Sequence, residues 1–146
     1  MTQSATDLAK LYSGTLLSLA ADIPLTGRLE NPQATVRERA PLCGSTVTVD
    51  LDMEDGKVSR FAQDVKACAL GQASASVLGR HVLGRTPDEL NRAKEELTAF
   101  LKEDGPAPSA PFDELEALLP AREFKNRHAS ILLALTATCR AIESLE

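Results

Sequence analysis

The chain has 146 residues, of which 43% are hydrophobic, and its formal net charge is −5. This length and apolar content suffice for one core, so residues 1–146 are interpreted as a single domain. The acidic balance and an aromatic content of 3% argue against nucleic-acid binding, which uses basic faces and stacking platforms. No stretch approaches the ~18 apolar residues of a membrane span, and the amino terminus lacks a signal-peptide pattern. We therefore expect a cytoplasmic protein with no membrane partner.

One helix and one extended stretch are predicted in the first forty residues. Apolar side chains at helical spacing indicate a helix over Thr6–Ala21, with Ser4 or Thr6 as its N-cap. The following segment, Leu25–Ala40, has the composition of a loop in which Ala34–Arg39 is extended.

A β-hairpin is predicted in the middle of the chain. Thr46–Met53 and Lys57–Val65 each alternate apolar and polar side chains, which is the period of a strand. The dipeptide Asp55-Gly56 between them is a turn signal. Because a hairpin alone is marginally stable in water, we expect a third strand, near Ala34–Arg39.

The second half of the chain is predicted to be helical. Small residues from Gly71 to Val82 predict a closely packed helix that ends at Gly84. The stretch Thr86-Pro87-Asp88-Glu89 has the pattern of a capping box and opens a helix that runs to about Lys102. The remaining predicted elements are a loop over Asp104–Pro111, a short helix over Pro111–Leu119 and a long helix over Lys125–Leu145.

Two cysteines flank the predicted hairpin. Cys43 directly precedes the first strand and Cys68 follows the second. Antiparallel pairing brings these two positions to one end of the hairpin, where the thiols could ligate a soft metal or accept sulfur. The alternative for each is a small buried hydrophobe. An odd number of cysteines in a chain without an export signal favours metal binding, catalysis or burial over disulfide bonding.

The other candidate ligands are weaker. His128, near the start of the last helix, is the best third ligand, and the alternative is a surface histidine. His81 lies about three helical turns from Cys68, too far to share its site. Cys139 lies about three turns from His128 on the apolar face, so we assign it to packing. Asp64 is kept as a reserve ligand.

The residues resemble those of the U-type iron–sulfur cluster assembly scaffolds, which comprise IscU, SufU and the amino-terminal domain of NifU. The most specific matches are Pro41-Leu-Cys-Gly44 before a strand, the Asp-Gly hairpin, and Cys68-Ala-Leu-Gly-Gln-Ala-Ser-Ala-Ser76. His128-Ala-Ser-Ile-Leu132 looks like the family segment that carries a His-Cys pair. The long segment Arg85–Pro111 looks most like the insertion of the SufU subgroup.

This resemblance implies an α+β fold of the SufE/IscU-like type, in which a small antiparallel three-stranded sheet packs against several helices. It also implies a metal end with three cysteines and an aspartate, and in some members a histidine, that holds zinc, iron or a transient [2Fe–2S] cluster. The implied partners are a cysteine desulfurase, which donates sulfur, and recipient apo iron–sulfur proteins.

The sequence departs from the family pattern at two positions. Ser45 stands where the family has the aspartate, and Ala129 stands where a third cysteine should follow the histidine. The ligand set carried over by resemblance is therefore Cys43, Cys68 and His128, with Ser45 as a weak ligand. Loss of one thiolate and one acid should weaken the hold on a dication.

Three functions remain open from the sequence. The leading hypothesis is a scaffold or sulfur-relay protein rather than an enzyme, with no catalytic residues assigned. The second is a degenerate family member that acts as an adaptor or regulator of the desulfurase. The third is a zinc-dependent sulfurtransferase in which Cys43 or Cys68 carries a persulfide.

Overall fold

A computed structural model describes residues 13–146. The first helix, α1, covers Gly14–Ala21 and is capped by Ser13, whose hydroxyl accepts the Leu16 amide at 3.3 Å. The predicted helical start at Thr6, with its cap at Ser4 or Thr6, lies outside the described residues.

Three strands form one antiparallel sheet in the order β1–β2–β3. They cover Ala34–Arg39, Thr46–Glu54 and Lys57–Lys66. The turn between β2 and β3 has positive φ at Asp55 (53°) and at Gly56 (76°), as the tight turns of β-hairpins require. The predicted hairpin and the expected third strand are therefore confirmed, and the fold is α+β.

The helices that follow the sheet are α2 over Ala69–His81, α3 over Pro87–Lys102 and α4 over His128–Glu143. α3 begins with the predicted capping box, in which the Thr86 hydroxyl accepts the Glu89 amide at 3.2 Å and the Glu89 carboxylate accepts the Thr86 amide at 3.2 Å. Two prediction errors lie between α3 and α4. The short helix predicted over Pro111–Leu119 is a 3₁₀ helix over Asp113–Glu123, and the helix predicted from Lys125 becomes α-helical only at His128, after a 3₁₀ turn. Pro120, inside the longer 3₁₀ helix, has no amide hydrogen to donate to an α-helical ladder.

One face of the sheet is apolar and supports the helices. Its buried side chains are Ala34, Val47, Val49, Leu51 and Phe61. α4 packs against β1 and β2, α2 packs against α4, and α1 packs against α2. No helix within residues 13–146 is long and apolar enough to cross a membrane.

The opposite face of β2 holds a buried carboxylate. Asp50 is fully buried and accepts hydrogen bonds from Arg28 (2.6 and 3.1 Å), from the Leu29 amide (3.1 Å) and from the Thr35 hydroxyl (2.6 Å). Burial raises the pKa of Asp50, but these hydrogen bonds outweigh burial and lower the pKa overall. The carboxylate thus fastens the segment before β1 to the sheet.

Small side chains let α2 approach α4 closely. A Cβ atom added at Gly71 would lie 2.6 Å from the Ser130 hydroxyl oxygen and 3.1 Å from the Ser130 carbonyl oxygen. Three residues further along α2, the Ser74 hydroxyl donates to the Ile131 carbonyl at 2.6 Å. The amino-terminal ends of both helices therefore meet at the end of the sheet where β2 begins and β3 ends.

Candidate functional site

The two cysteines lie together at this end of the sheet, as the sequence predicts. Thr46 at the start of β2 pairs with Lys66 at the end of β3. The residues just before β2 and just after β3 therefore lie at the same end of the sheet. Cys43 belongs to the turn that precedes β2. Cys68 is the N-cap residue of α2, with an extended backbone (φ −68°, ψ 170°). Both side chains are half-buried.

Two serine hydroxyls connect the thiols. The Cys43 Sγ atom lies 3.5 Å from the Ser45 Oγ atom, which lies 2.9 Å from the Ser130 Oγ atom. The Ser130 Oγ atom lies 3.6 Å from the Cys68 Sγ atom. Both serines are buried, so the hydroxyls are fixed against the thiols rather than exchanging freely with water. The site is thus a row of sulfur, oxygen, oxygen and sulfur atoms.

The polar surroundings lower the pKa of the Cys43 thiol. Burial alone raises this pKa, but the hydroxyl and backbone of Ser45 favour the thiolate. The Ser130 hydroxyl and the positive charge of Arg127 act in the same direction. The net effect is a larger thiolate fraction at neutral pH than an ordinary cysteine has.

The pKa of the Cys68 thiol is lowered by a similar set of groups. Burial again raises the pKa, and the amides of Gly71 and Leu70 at the start of α2 oppose it together with the Ser130 hydroxyl. The Arg127 charge contributes as well. Ser130 and Arg127 therefore act on both thiols.

Cys139 provides an internal comparison. It is buried in the apolar core, as expected from its position on α4, and burial raises its pKa to about 11. The same residue type is thus an inert core side chain on α4 and an activated thiol at the end of the sheet.

The structure does not bring His128 to the thiols. Its Nε2 atom lies 3.0 Å from the Ala121 carbonyl oxygen and 3.1 Å from the Arg122 carbonyl oxygen, on another side of α4. Residues two apart on an α-helix point about 200° apart, so His128 and Ser130 cannot face the same neighbour. The expected set of Cys43, Cys68 and His128 is therefore not assembled.

Ser130 is the site residue that sequence reasoning missed. Ala129, where the resemblance would place a third cysteine, is exposed. Ser130 is 1% exposed and faces the thiols. A signal was available in the helical spacing. Ser130 continues a stripe of small residues on α4 formed by Ala134, Ala137 and Ala141, all of them buried.

The remaining sequence candidates lie elsewhere or contribute no ligand. The His81 Nε2 atom lies 2.9 Å from a Glu114 carboxylate oxygen, away from the thiols as expected. Asp64 lies on β3 opposite Thr48, and its charge acts on Arg28. Within residues 13–146, no group of three His, Cys, Asp or Glu side chains is placed to hold a metal ion.

The number and chemical type of the donor atoms limit which metal ions or clusters the site can hold. Tetrahedral zinc and iron–sulfur clusters take four strong ligands, mainly thiolates and imidazoles. This site offers two thiols, and its two hydroxyls are weaker and harder donors. The chain alone therefore provides half of a coordination sphere, together with two nucleophilic sulfur atoms that can accept sulfur.

Known proteins share this fold. A crystal structure of a nitrogen-fixing NifU-like protein (N-terminal) from Brucella abortus is 44% identical, with a TM-score of 0.93 over 95% of this chain and 96% of that chain. The SUF-system scaffold SufU of Fervidobacterium islandicum AW-1 has a TM-score of 0.82 over 92% of this chain and 98% of that chain. Its identity is 17%, which shows likeness of fold alone.

One curated relative matches part of the chain. The iron–sulfur cluster assembly scaffold protein IscU of Thermotoga maritima is 28% identical over 86 residues, or 59% of this chain. The match spans 61% of that relative's length. No protein-family model matches the chain. From the extent and identity of the match to the Brucella protein, the chain belongs to the IscU/NifU-like family of scaffold proteins.

Proposed function

We propose that this protein serves iron–sulfur cluster assembly as a scaffold or sulfur relay, with Cys43 and Cys68 as its sulfur-bearing residues. The observation that carries the proposal is the pair of thiols, both of lowered pKa, joined through Ser45 and Ser130 at one end of the sheet. A thiolate is the form that binds soft metals and attacks a persulfide. The name of the Thermotoga relative supports the same process.

The cargo of such a site is sulfur, zinc, iron or a [2Fe–2S] cluster that is passed on. Two thiolates from this chain account for half of the four ligands that zinc or a [2Fe–2S] cluster takes. The other ligands would come from the partner that delivers or receives the cargo. Such shared coordination suits transfer, because a cargo held by two strong ligands is released more readily than one held by four.

The surroundings of Cys43 suit a protein partner. Leu42, the preceding residue, is 81% exposed, and a large apolar side chain that exposed is a candidate contact for a docking protein. Arg127 adds positive charge near both sulfurs and would attract an anionic sulfur species. A cysteine desulfurase as donor and apo iron–sulfur proteins as recipients are the partners that this function requires.

Cluster assembly under anaerobic conditions tests the proposal. The protein is mixed with a cysteine desulfurase, cysteine and ferrous iron, and the iron, sulfide and visible absorption that it retains are measured. We expect iron and sulfide on the wild type and Cys139→Ser while the desulfurase is present to supply the remaining ligands, and loss of both in Cys43→Ser and Cys68→Ser. Equal cluster content in all four proteins would exclude the thiol pair as the site.

An adaptor or regulator of the desulfurase is the second candidate. The absence of a third cysteine, histidine or acid beside the thiols within residues 13–146 favours it. It predicts that the double variant Cys43→Ser, Cys68→Ser binds the desulfurase as tightly as the wild type and changes its turnover equally. Loss of binding or of the effect on turnover in the double variant would count against the adaptor and for the sulfur relay.

A further inference from the structure

The two cysteines lie on either side of the same pair of buried hydroxyls at the end of the sheet where β2 begins and β3 ends. In the antiparallel pairing of β2 with β3, Thr46 lies opposite Lys66. Cys43 lies three residues before Thr46 and Cys68 lies two residues after Lys66, so both leave the sheet from the same cross-strand pair. Both thiols are free, so formation of the bond requires the Cys43 turn to move its sulfur to Cys68.

The two thiols also differ in their freedom to move. Cys43 lies in the turn before β2, between the exposed Leu42 and Gly44, whose φ is +71°. Cys68 is fixed at the start of α2, which is packed against α4. The turn thiol is thus accessible to a large donor, while the helix thiol stays in place behind it.

We infer that Cys43 and Cys68 form a sulfur-release pair, in which Cys43 carries a persulfide and Cys68 displaces its outer sulfur as sulfide. This inference rests on the proposed function and names the chemistry of the same site. The protein would thereby release sulfur as sulfide, which is the oxidation state of the inorganic sulfur in a cluster. It would do so although it has fewer ligands than a cluster needs.

The chemistry balances in two steps. The Cys43 thiolate attacks the outer sulfur of a donor persulfide, so that a sulfur–sulfur bond forms at Cys43 and the donor leaves as its thiolate. The Cys68 thiolate then attacks Cys43 Sγ, which forms the Cys43–Cys68 disulfide and breaks the bond to the outer sulfur. The outer sulfur leaves as hydrosulfide with both electrons of that bond. The sulfane sulfur is reduced, the two cysteine sulfurs are oxidised, and a dithiol reductant restores the pair.

Ser130 lies where it can assist this exchange. Its hydroxyl is buried, contacts Cys68 Sγ at 3.6 Å and contacts the Ser45 hydroxyl, which contacts Cys43 Sγ. A hydroxyl both donates and accepts hydrogen bonds, so it can stabilise the attacking and the leaving sulfur in turn. The row of hydroxyls therefore positions the pair and needs no metal for the step.

Loading the protein with glutathione persulfide tests the inference without a desulfurase. After anaerobic loading and removal of the donor, released sulfide is measured, and free thiols are alkylated before peptide mass spectrometry. We expect the wild type and Cys139→Ser to release about one sulfide per chain and to contain a Cys43–Cys68 disulfide. In Cys68→Ser the persulfide should remain on Cys43, with sulfide release at least about tenfold slower because the intramolecular thiol is lost.

Two results would overturn the inference. One is sulfide release from Cys68→Ser at the wild-type rate, and the other is a stable persulfide in the wild type beside a free Cys68. Cys68→Ala, checked by circular dichroism, separates loss of the thiol from an effect of the serine or of unfolding. Because the donor is a small molecule, a failure to work with the desulfurase would overturn the proposed function and leave this result unaffected.

Discussion

The Ser130 hydroxyl acts on both thiols of the site, as does the charge of Arg127. It favours the thiolate of Cys43 and of Cys68, so its removal should raise both pKa values. We predict that the rate of alkylation by iodoacetamide in Ser130→Ala reaches half its maximum at a higher pH than in the wild type. Peptide mass spectrometry over a pH series measures this rate for each cysteine.

Two internal controls sharpen this measurement. Ser144→Ala, near the end of α4, should leave both profiles unchanged, because the Ser144 hydroxyl contacts the Ala141 carbonyl and not the thiols. Cys139, with a pKa of about 11, should stay unreactive in the folded protein at neutral pH. Unchanged profiles in Ser130→Ala would show that this hydroxyl does not govern the thiols.

Asp50 is a residue whose loss should destabilise the fold without touching the site. Its replacement by alanine leaves the Thr35 hydroxyl and the Leu29 amide without their acceptor, at a cost of about 1–3 kcal/mol in the free energy of unfolding. Because the pKa of Asp50 is lowered by folding, its stabilisation is full above the unfolded pKa and is lost as the pH falls through the folded value.

Urea denaturation at neutral and acidic pH measures this contribution. Glu54→Ala, at the exposed end of the same strand, is the matched control and should change the free energy of unfolding by less than about 0.5 kcal/mol. If Asp50→Ala were as stable as that control, the carboxylate would not fasten the segment before β1.

The site depends on the close packing of α2 against α4. Alanine is normally better than glycine inside a helix by about 1 kcal/mol. At Gly71, however, the added Cβ atom would lie 2.6 Å from the Ser130 hydroxyl oxygen. We predict that Gly71→Ala destabilises the protein by about 1–3 kcal/mol and raises the pKa of Cys68, because the helices must separate at the site.

A second helical glycine provides the control for this prediction. Gly14 in α1 has no atom within 4 Å of an added Cβ, so Gly14→Ala should be neutral or slightly stabilising. Denaturation curves of the wild type, Gly71→Ala, Ser130→Ala and the variant with both changes form a double-mutant cycle, and Gly14→Ala is measured beside them. If the Ser130→Ala change did not relieve part of the Gly71→Ala cost, the close approach would not be the cause.

The elements that sequence reasoning predicted well are those whose signals are local. The Asp55-Gly56 turn and the capping box of Thr86 and Glu89 depend on residues one to three positions apart. The errors depend on tertiary context. The residues 113–123 and 125–127 adopt 3₁₀ geometry, and the predicted starts and ends of these helices shifted accordingly.

The candidate site shows the same division. The convergence of Cys43 and Cys68 follows from antiparallel pairing, which the alternating pattern predicts. Which face of α4 meets the thiols depends on how the helix is rotated against α2, and that rotation is fixed by the contact at Gly71. Because the sequence does not reveal this rotation, the ligand chemistry of imidazole favoured His128 as the site residue on α4. In the structure, the packing of α4 against α2 places Ser130 beside the thiols.

The fold brings three elements together at the end of the sheet where β2 begins and β3 ends. The turn before β2 brings Cys43, the start of α2 brings Cys68, and the start of α4 brings Ser130. The end of the sheet thus offers two sulfurs and two hydroxyls as donor atoms. The proposed relay of sulfur needs only the two thiols of this set.

Measuring sulfur transfer from a cysteine desulfurase to this protein is the most direct test of Cys43 and Cys68 as its sulfur-bearing residues. The protein is incubated anaerobically with the desulfurase and cysteine, and the sulfur gained or released per chain is followed by intact mass and sulfide analysis. We predict sulfur uptake by the wild type and Cys139→Ser through Cys43 and Cys68, and none by the Cys43→Ser, Cys68→Ser double variant. Equal uptake by the double variant, or no uptake by the wild type, would contradict it.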